Sequence, residues 1–288
     1  MAVSALRPGQ EVDGVYACVR KDRLTTRTGS PYLALALRDR TGTLTARAFK
    51  GADALAGRFE RGDIVRVRGR LERFRDELTL ELSDIARVES GEADPGRFLP
   101  TAYRDVDELD GFLEHLSAEV YDRGYAALLQ KLLADSALRR EWRRAPCTRA
   151  GHHAYLGGLL EHTVAVGTLA QETCQLHAGV NSDLLICAAL VHDLGRTREF
   201  TYGAEIGVTD EGRLLGHLVI GERMITEAAR GVLDERRLLG LLHCVLSHHG
   251  PSSAPGGRFG SVEAMALFRI NAVDAAVKGA LEHGLGTG

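Results

Sequence analysis

The sequence predicts a multidomain chain: a small all-β barrel first, then an all-α helical bundle. Three observations carry this. Apolar residues in the first ninety positions recur at every second place, whereas those beyond position 109 recur at every third and fourth. Charge divides the same way: residues 1–88 hold 17 Lys and Arg against 12 Asp and Glu, net +5, and residues 89–288 hold 19 against 27, net −8. Histidine divides most sharply, with none of the 11 before His115 and nine between His152 and His249. A length of 288 residues is long for one core and comfortable for two.

The expected boundaries are 1–90 for the barrel, 91–108 for a linker rich in Gly, Pro and charge, 109–150 for a helical bridge and 151–288 for the second domain. No apolar run is long enough to span a bilayer, and the start lacks the basic and apolar regions of a signal peptide. Cys18, Cys147, Cys174, Cys187 and Cys244 are scattered, with no C-x-x-C. They read as reduced thiols of a cytoplasmic protein rather than a disulfide or zinc framework.

In the first domain, "YLALALRDRTGTLTARAF" alternates through Leu33, Leu35 and Leu37, turns at residues 39–42 and resumes through Leu44, Ala46 and Ala48. "GDIVRVRGRLERFRDELTLEL" alternates through Val65, Val67, Leu71, Leu78, Leu80 and Leu82, with Arg66, Arg68 and Arg70 on the opposite face. Gly62-Asp63 and Arg75-Asp76 mark turns. Five strands in about eighty residues suit a small closed barrel. These two stretches resemble an OB-fold of the nucleic-acid-binding kind. That resemblance implies a surface of basic groups for phosphates and rings for base stacking. Arg20, Lys21, Arg47, Lys50, Arg66 and Arg68 are the candidate charges; Tyr16, Tyr32, Phe49 and Phe74 are the candidate rings. The competing expectation is that the rings fill the barrel and the charges merely solvate it.

In the second domain, "LLICAALVHDLGR" carries eight apolar residues, 184–191, followed by His192 and Asp193. A helix apolar all round is buried. Ser182 is placed to cap its start and Gly195 to end it. His192 and Asp193 therefore lie at or near the core, where a carboxylate must be matched by a cation, a hydrogen-bond network or a metal. His162, His217, His248 and Asp274 also fall on inward helix faces, and His249 directly follows His248. Any one of these alone is better read as a satisfied core residue. Several together point to one shared metal cluster.

The order H…HD…H…HH…D resembles the HD-domain phosphohydrolase superfamily. "HHAYLGGLLEHT", "ALVHDLGR", "EGRLLGH" and "LSHHG", behind an OB-fold, closely resemble the YhaM-type 3′–5′ exoribonucleases, over nearly the whole chain. The resemblance implies that His162, His192, Asp193 and Asp274 hold one divalent ion. It implies that His217 and His248 hold a second, with Asp193 bridging and His249 ranked below His248. Mn²⁺ is favoured, with Fe, Co²⁺ and Zn²⁺ as alternatives. Asp193, Arg196 and His153 are the implied catalytic residues, and His152 the implied substrate neighbour. Arg196 stands where many such proteins have Lys, and Lys278 reads as a helix partner of Asp274. The implied activity is 3′–5′ hydrolysis of single-stranded RNA or DNA to nucleoside 5′-monophosphates. Two other readings stay open: a phosphohydrolase of small nucleotides with the barrel as an oligomer contact, and a metal-stabilised single-strand binder without turnover.

Overall fold

A computed structural model describes residues 1–74, 77–89, 93–253 and 255–285 of the chain. The expected turn at Arg75-Asp76 and the ring of Phe74 lie outside the described residues. The chain forms two compact units, Met1–Pro100 with Tyr202–Ile206, and Thr101–Thr201 with Gly207–Gly288.

The first unit is the expected barrel. Its elements are β1 (Glu11–Thr25), β2 (Pro31–Asp39), β3 (Gly42–Ala48), the short α1 (Ala52–Ala56), β4 (Ile64–Phe74) and β5 (Glu77–Arg87). They close in the order β1-β2-β3-β5-β4. Closure depends on β1, whose first half pairs with β4 and whose second half pairs with β2. The irregularity between Cys18 and Arg20 lets one long strand bend and change partner. The period-two reading locates the core: Leu33, Leu35 and Leu37 of β2 meet Leu44, Ala46 and Ala48 of β3, all buried inside.

The second unit is helical: α2 (Val106–Ala118), α3 (Arg123–Ala134), α4 (Ser136–Arg144), α5 (Gly158–Leu176), α6 (Ser182–Val191), α7 (Arg196–Glu199), α8 (Asp210–Ala229), α9 (Glu235–Ser247) and α10 (Val262–His283). The strands β6 (Phe200–Tyr202) and β7 (Ile206–Val208) pair between α7 and α8. Residues 101–150, read in the sequence as linker and bridge, belong to the same compact unit as the helices that follow. Asp105, Asp122 and Asp135 start α2, α3 and α4 by each accepting two backbone N–H groups.

Helix α6 is the central post. Residues 184–191 are all buried, and the helix packs against α2, α3, α5, α9 and α10. Its cap is Asn181 rather than Ser182: the Asn181 side chain accepts the Leu184 N–H, while Ser182 is already helical. Gly195 does not end α6 in a left-handed conformation, since its φ is −60°. It is there for close approach: a Cβ at Gly195 would sit 2.1 Å from the His217 carbonyl oxygen. Only glycine lets α8 come this near the segment that bears Asp193.

Candidate metal centre and nucleic-acid surface

Five structural elements of the second unit bring histidine and aspartate to one place. His162 projects from α5, and His192 and Asp193 follow the end of α6. His217 lies on α8, one residue after Gly216, whose φ of 69° and ψ of 161° break the helix there. A left-handed φ of this kind suits glycine, and the kink sets the direction of the next side chain. His248 and His249 follow α9. Asp274 sits midway along α10.

The ring protons of the histidines are set by partners that can only accept. His192 Nδ1 donates to the Ala189 carbonyl at 2.8 Å, and His248 Nδ1 to the Val245 carbonyl at 2.6 Å. His162 Nδ1 donates to Asp274 Oδ2 at 2.6 Å. His217 Nδ1 faces Glu199 Oε2 at 3.5 Å. Each Nε2 therefore turns a lone pair inward. A second nitrogen fixed this way is the usual support of a metal-bound imidazole.

Asp193 is the hub and only 3% exposed. Its Oδ2 accepts from Arg196 Nε at 2.7 Å and lies 3.7 Å from His192 Nε2 and 3.8 Å from His162 Nε2. Its Oδ1 lies 3.4 Å from both His217 Nε2 and His248 Nε2. Two groups of ligand atoms, His162–His192–Asp193 and Asp193–His217–His248–His249, share Asp193.

A divalent cation fits this arrangement. Asp193 Oδ1 and His248 Nε2 are buried with no hydrogen-bond partner. Orphaned buried polar atoms are costly, and an ion between them removes the cost. His162 Nε2 and His192 Nε2, both bearing lone pairs, face each other at 3.2 Å, a contact that a cation also relieves. Burial holds His192 well below the ordinary imidazole range. Burial raises the Asp193 carboxyl, but the charge of the Arg196 guanidinium beside it outweighs this and holds it well below the carboxylate range. A neutral His192 imidazole beside an ionised Asp193 carboxylate is the pair of protonation states a metal requires.

The other expected residues have these surroundings. Asp274 groups with His153 and His162, a set of ligand atoms that shares His162 with the His162–His192–Asp193 group. It lies on the far edge of the His162 ring, where Oδ2 accepts from His162 Nδ1 and from His153 Nε2 at 3.0 Å. Burial raises its carboxyl, yet the bonds from His153 and His162 hold it well below the usual range. Arg196, expected as a catalytic group, is buried and bonded to Asp193 and to Glu199 Oε2 at 3.1 Å. A guanidinium out of water needs such matching anions. His153, expected as a catalytic group, is buried between Asp274 and the Tyr155 hydroxyl, which donates to Glu161. Lys278 pairs with Glu161 at 2.8 Å rather than with Asp274. His249 joins the second group, its Nε2 2.8 Å from that of His217. His152 is half-buried beside His162, and burial, then His162 and His153, push it down to about 4. His243 stands outside the cluster and accepts the Gly260 N–H. His115, His177 and His283 are exposed.

Sequence reasoning missed Glu199 and Cys147. Glu199 had a legible signal, three residues after Arg196 on a short helix. Cys147 gave none: its Sγ lies 3.7 Å from Asp193 Oδ2 only through the tertiary path of the loop before α5.

On the barrel the candidate residues separate. Tyr16 is fully buried, with its hydroxyl donating to the Met1 carbonyl, so it is core and not a stacking ring. Lys21 is tied to the Phe59 carbonyl at 2.5 Å and to Glu60. Arg66 and Arg68 both hold Asp13 on the β4 side. Tyr32 and Phe49 stack on each other with centroids 5.3 Å apart, and Phe49 is 49% exposed. The register places Arg47 beside Ala34, next along the same outer face, and Arg20 beside Ala36, where it pairs with Asp22. Lys50 is exposed just beyond Phe49.

Comparison with known proteins follows the same division. A family model described as an HD domain matches residues 159–276, and one described as an OB-fold nucleic acid binding domain matches residues 15–88. These matches, with the relatives that follow, point to a hydrolase built from an HD-type helical domain and an OB-fold barrel. The curated proteins it resembles along most of its length are more particular. The chain is 28% identical to 3′-5′ exoribonuclease YhaM of Shouchella clausii over 283 residues, 94% of this chain and 85% of that protein. It is 27% identical to the Bacillus subtilis protein of the same name over 244 residues, 84% of this chain and 77% of that protein. The Listeria monocytogenes strain EGD-e protein of that name is 26% identical over 277 residues, 93% of this chain and 86% of that protein. The resemblance to the YhaM type, carried in the sequence by four short motifs, extends over most of the chain.

Proposed function

We propose that the protein is a metal-dependent 3′–5′ exoribonuclease that hydrolyses single-stranded RNA to nucleoside 5′-monophosphates and also accepts single-stranded DNA. The observation that carries the reading is Asp193: one carboxylate oxygen faces His162 and His192, the other, unpartnered, faces His217 and His248. The relatives named exoribonuclease and the OB-fold match support the substrate class.

Two ions are proposed, Mn²⁺ foremost. His162, His192 and Asp193 would hold one, and Asp193, His217, His248 and His249 the other. Bound there, divalent ions supply Lewis-acid stabilisation of the phosphoryl oxygens and a water acidic enough to serve as nucleophile near neutral pH. The chain's own residues do the rest. Arg196 fixes the tilt of the Asp193 carboxylate through Nε and so acts as a positioning residue. The carbonyls of Ala189 and Val245 lock the tautomers and ring planes of His192 and His248. Asp274 does the same for His162, and His153 braces Asp274 from the other side. His152, half-buried and uncharged near neutral pH, borders the cluster where a strand end would enter.

Stacked Tyr32 and Phe49, with Arg47 and Lys50 alongside, are the proposed platform for the single strand. Among the described residues no helix is long and apolar enough to cross a membrane, and the five cysteines are free; both fit the proposed cytoplasmic setting. The test is incubation of the full-length protein with Mn²⁺ and 5′-labelled single-stranded RNA. A ladder of 3′-shortened products with nucleoside 5′-monophosphates supports the reading. Turnover of free nucleotides alone, or a gel shift without products, refutes it.

A further inference from the structure

The loop of residues 145–157, between α4 and α5, delivers a side chain that the mechanism above leaves unused. Cys147 is fully buried, and a buried thiol that only fills space faces hydrocarbon. This one faces polar groups. Its Sγ lies 3.7 Å from Asp193 Oδ2, and Cys147, His152 and His162 each bring a ligand atom within 4.8 Å of the others. The loop holds this aim by crossed hydrogen bonds. Cys147 N–H donates to the His153 carbonyl at 3.1 Å, and Thr148 Oγ1 donates to the His152 carbonyl at 2.7 Å.

We propose that Cys147, His152 and His162 form a sulfur-bearing seat for a soft divalent cation such as Zn²⁺ or Co²⁺, with Asp193 Oδ2 as the nearest carboxylate oxygen. The proposal rests on the metal-centre reading above and adds a ligand and a selectivity to it. His162 decides how the seat is used. Its Nδ1–H is engaged by Asp274, so only Nε2 is available, and the same Nε2 faces His192. The sulfur seat and the His162–His192–Asp193 seat therefore compete for one nitrogen. They are alternative positions of the first ion, not places for two. Thiolate favours Zn²⁺ and Co²⁺, whereas carboxylate and imidazole suit Mn²⁺. The nature of the ion selects its seat, and an ion drawn to Cys147 leaves His192. No other cysteine belongs to such a group among the described residues.

Cobalt reports the difference directly. Full-length protein, stripped with a chelator, is titrated with Co²⁺ and its absorption spectrum recorded. Co²⁺ on nitrogen and oxygen ligands gives weak visible bands; a thiolate ligand adds an intense charge-transfer band in the near ultraviolet. The wild type is expected to show both, and Cys147→Ala to lose the ultraviolet band while keeping the visible ones. Visible bands without the ultraviolet band in the wild type overturn the sulfur seat and leave the metal centre standing. An ultraviolet band that survives in Cys147→Ala also overturns it, because another thiol then bears the ion. No cobalt bands of either kind remove the metal-centre reading and this proposal with it.

Discussion

The barrel and the bundle treat polar side chains in opposite ways. On the barrel, Arg20, Arg66 and Arg68 sit on the outside, each within reach of an aspartate and each more than half exposed. Surface pairs of this kind contribute on the order of 0–1 kcal/mol, so the barrel can change its charges cheaply. In the bundle, His162, His192, Asp193, Arg196 and His248 are buried together. There each group is held by a specific partner, and removing one strands another. On the proposed function the difference teaches where substitution is costly: the barrel's contact with a strand would be spread over a face, while the bundle's chemistry would hang on one carboxylate.

The largest expected effect follows from that carboxylate. Asp193→Ala should reduce RNA turnover on the order of a thousand-fold or more, while single-strand binding by the barrel persists. Single-turnover kinetics beside a gel-shift assay measures both; equal loss of turnover and binding would erase the contrast between the regions. Next is Arg196→Ala, which leaves Asp193 and Glu199 without their cation. It should lower unfolding stability by about 3–5 kcal/mol and metal affinity by roughly 10–100-fold. Denaturant unfolding and a metal titration test this, and an undisturbed metal affinity would deny Arg196 its positioning role.

On the barrel side, Tyr32→Ala and Phe49→Ala should each weaken single-stranded RNA binding by about 1–3 kcal/mol. Neither should alter hydrolysis of a small phosphodiester, and a Tyr16→Phe change should leave RNA binding untouched. The smallest effect belongs to a helix cap. Asp122 accepts two N–H groups at the start of α3 and takes Arg237 at 2.8 Å. Its loss should cost about 1 kcal/mol. The bond from Arg237 foremost lowers its carboxyl in the folded state. Its contribution is thus present above the ordinary carboxylate pKa and lost as pH falls through the folded value. Melting curves of wild type and Asp122→Ala should converge in acid; a constant gap would show that the charge is irrelevant.

The fold was legible because its two periodicities differ and neither depends on tertiary detail. The barrel strands and the buried post of α6 follow from spacing alone. Much of the cluster was legible for a related reason: His and Asp on apolar helix faces need a common partner, and His162, His192, Asp193, His217 and His248 do come together. What stayed hidden depends on direction rather than position. Asp274 lies on the expected helix but meets the other edge of the His162 ring. Cys147 reaches Asp193 through a loop path that no spacing encodes. Gly195 looked like a helix stop and is a point of backbone contact with α8. Tyr16 is a different case, since Val12, Gly14 and Tyr16 alternate inward and the signal was present.

The central claim is that Asp193 joins two ion-binding groups. Metal content per chain, measured by mass spectrometry after Mn²⁺ loading and desalting, tests it most directly. The wild type should carry two ions, His217→Ala one, and Asp193→Ala neither. A wild type that retains no metal, or three proteins that retain the same amount, would contradict it.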